Sequence, residues 1–180
     1  MRTRLLASAV LVLALAGCTP AATTPMPLPT PTLTAAPSTI LNPDLVPMSL
    51  GVVTEENASA EGNRIADALE ALIDPASIVN VSDASQLAPA ADDLPPYYVV
   101  YRTYTLDPSV DPLTLAPTIA AILLQSGWTS YDETNEGGQY LTALSGGQVD
   151  APWFALVGGD ASVEGQSVIT FQIASPDVTA

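Results

Sequence analysis

Histidine and lysine are absent from this 180-residue chain, and cysteine occurs once, as Cys18. Without a second cysteine no disulfide forms within the chain. Without histidine, no Cys/His zinc site and no Ser-His-Asp or Cys-His nucleophile can be assembled from it. Basic residues of any kind are scarce: Arg2, Arg4, Arg64 and Arg102 face nineteen acidic side chains, a net charge of −15. A surface so short of positive charge repels phosphate backbones and anionic lipid headgroups, which argues against nucleic acid as a partner. Any chemistry must come from carboxylates, tyrosines, hydroxyls or arginines. No catalytic residue, metal-ligand set or cofactor motif stands out among them, and no cofactor is expected.

Long hydrophobic runs are lacking too. The apolar run Leu5 to Ala16 has twelve residues, short of the roughly 20 that a membrane-spanning helix needs. Arg2 and Arg4 precede it and Gly17-Cys18 close it, the three-part order of an export signal. Leu15-Ala16-Gly17-Cys18 resembles the lipobox of bacterial lipoproteins. The resemblance covers only the first 18 residues and implies that a signal peptidase recognises Leu15, Ala16 and Gly17, cuts before Cys18, and leaves the Cys18 sulfur carrying a diacylglyceryl group. Residues 1–17 are then a signal peptide, and paired acyl chains hold the chain on the outer, extracytoplasmic side of the cell membrane. Loss of Arg2 and Arg4 leaves two arginines against nineteen acids, a net of −17.

Residues 18–50 form the expected tether. Pro20, Pro25, Pro27, Pro29, Pro31, Pro37, Pro43 and Pro47 alternate with threonine and alanine, and no charge appears before Asp44. Proline removes a donor and fixes its own backbone, so the stretch favours extended polyproline-type structure. Residues 51–180 are enough for a single domain with a real core. The short signal, the Pro/Thr tether, the many alanines and the missing lysine are together similar to small lipoproteins of high-GC Gram-positive bacteria, a resemblance that implies a setting and no mechanism.

Within the domain, a first helix is predicted over 55–73, capped by Thr54, with Ile65, Leu69, Leu72 and Ile73 on one face and Asp74-Pro75 ending it. A short strand is predicted at 78–81, followed by a polar loop containing Asp92-Asp93. Tyr97 to Leu106, rich in Tyr, Val and Thr, is the clearest strand. A second helix opens at Asp111-Pro112 or at Thr114 and closes at Gly127; Pro117 favours Thr114, because proline is tolerated in the first turn. Further strands are predicted at 139–145, 153–157 and 168–173, with a short one at 128–131. Gly137-Gly138, Gly146-Gly147 and Gly158-Gly159 read as turns. Helices and strands in blocks define an α+β class, an antiparallel sheet of about 4–6 strands with two helices packed on one face.

The candidate ligand-binding residues are Tyr98, Arg102 and Tyr104, which alternation places on one face of the Tyr97 strand. A guanidinium among tyrosines can stack on and hydrogen-bond a planar or carboxylate-bearing ligand. The competing reading is preferred: a structural arginine paired with carboxylates while its stem packs on tyrosine. Asp132-Glu133-Thr134-Asn135-Glu136 reads as a solvated turn, because it lacks the spacing that aims oxygens at one calcium ion. Trp128 and Trp153 read as core residues at strand starts. The function expected is a non-catalytic, membrane-anchored envelope module that binds a protein or a small ligand. The alternative is a carboxylate-dependent hydrolase of cell-wall polymer, whose two facing carboxylates cannot be named from spacing.

Overall fold

The computed structural model describes residues 42–90 and 95–179. The Leu15-Ala16-Gly17-Cys18 motif, most of the proline-rich segment and Asp92-Asp93 lie outside the described residues. Helix α1 spans Glu55–Glu70, one turn shorter than predicted. Thr54 caps it reciprocally: the Thr54 hydroxyl accepts from the Asn57 N–H, and the Asn57 amide oxygen accepts from the Thr54 N–H. Helix α2 spans Pro112–Gln125, and its N-cap is Asp111 rather than Thr114. The Asp111 carboxylate accepts from both the Leu113 N–H and the Thr114 hydroxyl. A cap with two donors on it, followed by proline at the first helical position, outweighs the backbone bond that Pro117 forfeits inside the helix.

Six strands follow the order β1-β2-β6-β5-β4-β3, every neighbouring pair antiparallel. They are β1 Ile78–Ala88, β2 Tyr97–Leu106, β3 Thr129–Glu136, β4 Gln139–Gln148, β5 Ala151–Asp160 and β6 Ser167–Asp177. The two edge strands depart most from expectation. Strand β1 runs eleven residues instead of four, and β3 takes in Asp132 to Glu136, predicted as a turn. Each pairs on one side only, and nearly every residue of both is exposed, so neither carries the apolar alternation that marks a buried strand. The polar, acidic edge of β3 resists edge-to-edge pairing with another chain, whereas β1 exposes Val79, Val81 and Leu87 with Asp83 as its single charge.

Alternation divides β5 and β6 cleanly, whereas β2 buries the adjacent Val99 and Val100 and β4 buries Thr142, Ala143 and Leu144 in a row. Val100, Arg102, Tyr104 and Leu106 of β2, Ile169, Phe171 and Ile173 of β6, and Trp153, Ala155 and Val157 of β5 are all buried on the side that carries both helices. Both tryptophans belong to this core, Trp128 donating its indole N–H to the Leu45 carbonyl at 2.7 Å. Two glycine pairs predicted as turns instead sit within strands and admit close neighbours. A Cβ on Gly159 would stand 2.4 Å from the Pro112 carbonyl oxygen, and one on Gly146 would stand 2.6 Å from the Trp128 ring. Of the three glycine pairs, Gly137-Gly138 alone makes a two-residue hairpin turn, with φ of 62° and 78°.

The segment from Asn42 to Leu50, drawn as the end of the tether, packs on the domain. Leu45 is fully buried in the core. The Glu61 carboxylate accepts from the Met48 N–H and holds Arg64, whose guanidinium donates to the carbonyls of Asp44 and Val46.

Candidate binding face

Arg102 lies on the helix-covered side, and its side chain is 9% exposed. Its Nη1 meets Asp67 at 2.7 Å and Glu70 at 3.2 Å, Nε donates to Asp83 at 3.2 Å, and Nη2 reaches the Asn63 amide oxygen at 3.4 Å. Burial works against the guanidinium charge, and the hydrogen bond to Asp67 together with Tyr104 outweighs it, so the Arg102 pKa is raised. Tyr104 is fully buried against Phe171, with ring centroids 5.5 Å apart, and donates its hydroxyl to Glu70 at 2.9 Å. Burial first, and the bond to Glu70 second, push its pKa well above the ordinary phenol value. Arg102 and Tyr104 thus converge on one carboxylate, Glu70, from neighbouring positions of one strand. Tyr98 stands apart from them, half-buried at the end of β2, where its backbone N–H donates to the Ser175 hydroxyl. The guanidinium's partners are Asp67 and Glu70 of α1, Asp83 of β1 and Asn63. Asp67 and Glu70 also edge a depression of about 360 Å³ running to Ile78, and both already bond Arg102.

Among the described residues, the sheet's second face carries no helix. Here Phe154 is 40% and Tyr131 60% exposed, and their rings meet edge to face at 6.1 Å. They wall an open depression of about 360 Å³ completed by Tyr97, Leu156, Gln172 and Asp177. Two irregularities in the strands shape it. The β3–β4 register jumps between Ser130 and Asp132, which leaves Tyr131 as an extra, unpaired residue turned toward Phe154. The β2–β6 register jumps between Tyr97 and Val99, so that Ser175 and Pro176 together oppose Tyr98. The Ser175 hydroxyl fills the broken ladder by accepting from Tyr98 and donating to the Pro176 carbonyl. Bulges of this kind bend a strand and re-aim its side chains.

Register orders the depression from end to end. The pair Leu156/Gln172 lies toward mid-sheet, Phe154/Ala174 comes next, and Tyr97/Asp177 closes the end of the sheet. A smaller hollow of about 170 Å³ adjoins it there, sharing Phe154, Ser175 and Asp177 and adding Asp150.

The signal for this face is present in the sequence. In Trp153–Val157 the inward residues alternate with Phe154 and Leu156, two large apolar side chains pointing outward from a strand whose other face is already core. What alternation does not carry is the pair of bulges, because a register shift follows from pairing and leaves no local composition. The acidic run of β3 is divided by the pleat: Asp132 and Glu136 pair with Ala143 and Gln139, whereas Glu133 pairs with Thr142 and acts on Tyr140 from the helix side.

These features define a two-layer α+β protein, a six-stranded antiparallel sheet with both helices on one face and an open, aromatic-walled depression on the other. No protein-family model matches the chain, and no curated protein matches it. Among solved structures, that of LpqN, involved in cell envelope biogenesis of Mycobacterium tuberculosis, is similar with a TM-score of 0.33 and 14% identity, covering 57% of this chain and 73% of that one. A likeness at that level carries no functional argument.

Proposed function

We propose that the chain is a lipid-anchored binding module on the extracytoplasmic side of the cell membrane, and that it takes its ligand in the depression on the helix-free face of the sheet. The anchoring half of this reading rests on the Leu15-Ala16-Gly17-Cys18 motif. None of the described helices is long and apolar enough to cross a membrane. The binding half rests on one observation: a bulge in β3 turns Tyr131 onto Phe154, which alternation on β5 already points outward, so that two exposed, mutually packed rings stand beside a hollow of about 360 Å³, within the size range of small-ligand sites. Exposed aromatic area on a rigid sheet loses little conformational entropy on binding. Asp177 is the one carboxylate lining that hollow, so the facing pair that polymer hydrolysis needs is not found among its described residues.

The test joins the two halves. Mass spectrometry of the mature chain should find a diacylglyceryl-modified Cys18 at the N-terminus, and an unmodified Gly17 terminus would end the anchoring half. Crosslinking in native envelopes should then label a ligand or partner through the wild-type face and lose it with Tyr131→Ser/Phe154→Ser. Equal labelling by that double variant, with its melting temperature retained, would end the binding half.

A further inference from the structure

From the charge around this depression we infer the class of its ligand: an organic cation with an apolar or aromatic body, its ammonium seated among Tyr97, Tyr131 and Phe154 at the end closed by Asp177. The inference rests on the reading of the helix-free face as a binding surface and deepens it. Beyond Arg4 the chain has two positive side chains, Arg64 and Arg102. Both are engaged on the helix side, Arg64 by Glu61 and by the carbonyls of the 42–50 segment, Arg102 by Asp67, Glu70 and Asp83. Among the described residues no side chain able to bond an anionic ligand by charge therefore lines the hollow, and none repels a cation entering it.

The polar groups present are of the opposite kind. Asp177 closes the sheet-end wall, and Asp150 stands in the adjoining hollow that shares Phe154 and Ser175 with the first. One carboxylate thus lines the sheet end of the depression and a second lies in the hollow beside it, while the mid-sheet end is Leu156, with the Gln172 amide opposite. The site is polarised along its length, apolar toward mid-sheet and negative at the rim. Aromatic faces add to this, because the ring quadrupole attracts a cation placed over it, and quaternary ammonium groups are the ions most readily desolvated into such a cage. The acidity of the whole chain, −17 without Arg2 and Arg4, concentrates cations near every part of the surface. What singles out this location is the coincidence of that field with three rings and a hollow.

The inference can be tested by calorimetric titration of the chain from residue 18 onward, with Cys18→Ser to leave out the acyl group. Three probes share one body and differ in charge: benzyltrimethylammonium, benzyl alcohol and benzenesulfonate. Benzyltrimethylammonium should bind at least about tenfold tighter than benzyl alcohol, benzenesulfonate should not bind, and added salt should weaken the cation alone. Phe154→Ala and Asp177→Asn should each reduce cation affinity by about fivefold. Leu124→Ala, an exposed change on α2 away from this face, should leave it unaltered. Melting temperatures within a few degrees of wild type verify that the variants are folded, and Tyr131→Ala offers an independent reading should Phe154→Ala fail that check.

Equal binding of the cation and the neutral alcohol, lost in Phe154→Ala, would overturn the inference and leave the binding face intact. Tighter binding of the sulfonate would do the same. Absence of binding by all three probes would remove both the inference and the depression as a small-ligand site.

Discussion

Arg102 shows how a residue that looks like a ligand contact becomes a structural tie once its neighbours are known. One strand position places its guanidinium within reach of α1 and of the edge strand β1, so a single cation links three elements. Removing it leaves Asp67, Glu70 and Asp83 facing one another with no counter-charge. Breaking a buried pair from one side costs about 3 to 5 kcal/mol. Here the carboxylates are 42% to 69% exposed and water partly compensates them, so Arg102→Met should destabilise by about 2 kcal/mol, read from urea unfolding without any ligand. An unchanged midpoint would show that the cluster contributes nothing net. Tyr104, bonded to the same Glu70, sets a pH limit. Its folded pKa lies above the unfolded phenol value, so folding favours the protonated form. That contribution is complete below about pH 10 and is lost as pH rises further, as the folded state holds a proton the unfolded chain releases. Tyr140, raised by burial and by Glu133, shifts in the same direction. Thermal melts from pH 9 to pH 12 should therefore show falling stability, with a shallower fall in Tyr104→Phe; identical slopes would assign the alkaline limb elsewhere.

At the scale of elements, closeness between helix α2 and strand β5 depends on the missing side chain of Gly159. The Pro112 carbonyl lies 2.4 Å and the Ala116 Cβ 3.0 Å from where a Cβ would stand. Both belong to the first turns of α2, where Asp111 has already fixed the backbone, so the helix must shift as a body. Gly159→Ala should cost about 2 kcal/mol or more by overpacking, whereas Gly51→Ala, with nothing within 4 Å of its Cβ, should be close to neutral. Equal melting temperatures for the two variants would refute the close-approach account. The same glycine marks where reading by pattern reaches its limit. Gly158-Gly159 looks like a turn because local composition cannot distinguish a bend from a helix crossing. The last strand is legible because period-2 alternation records burial, Tyr97–Leu106 because its tyrosine, valine and threonine content favours a strand whichever face is buried, and Thr54 is legible as a cap because its partner is three residues away. Edge strands β1 and β3 bury almost nothing, so their pairing leaves no alternation to read. The candidate site divides likewise: Phe154 and Leu156 point outward in plain view, while the bulges that bring Tyr131 and Asp177 beside them exist only in the paired sheet.

For the molecule as a whole, the dominant quantity is charge. Two arginines against nineteen acids leave the chain self-repelling at neutral pH, and repulsion of that kind is relieved in the unfolded state, where charges move apart. Salt acts on the two sides of this balance unequally. Long-range repulsion between exposed carboxylates spans more than a Debye length of about 10 Å at 0.1 M and is strongly screened. The attractive pairs are shorter and more sheltered: Arg64 meets Glu61, itself 1% exposed, at 2.6 Å, and Arg102 is nearly buried at 2.7 Å from Asp67. Screening should therefore remove more destabilisation than stabilisation. Raising sodium chloride from about 10 mM to 0.5 M should lift the melting temperature of the chain from residue 18 onward by about 3 °C or more. Sodium chloride is the appropriate salt, since sulfate would add a surface-exclusion effect of its own. A second arm separates screening from ion-pair effects: Asp132→Asn/Glu136→Gln, which removes two exposed edge-strand charges with no arginine partner, should raise the low-salt melting temperature and shrink the salt response. A melting temperature that falls with salt, or a salt response untouched by that double variant, would mean that the arginine ion pairs, and not the acidic surface, govern the electrostatics of this fold.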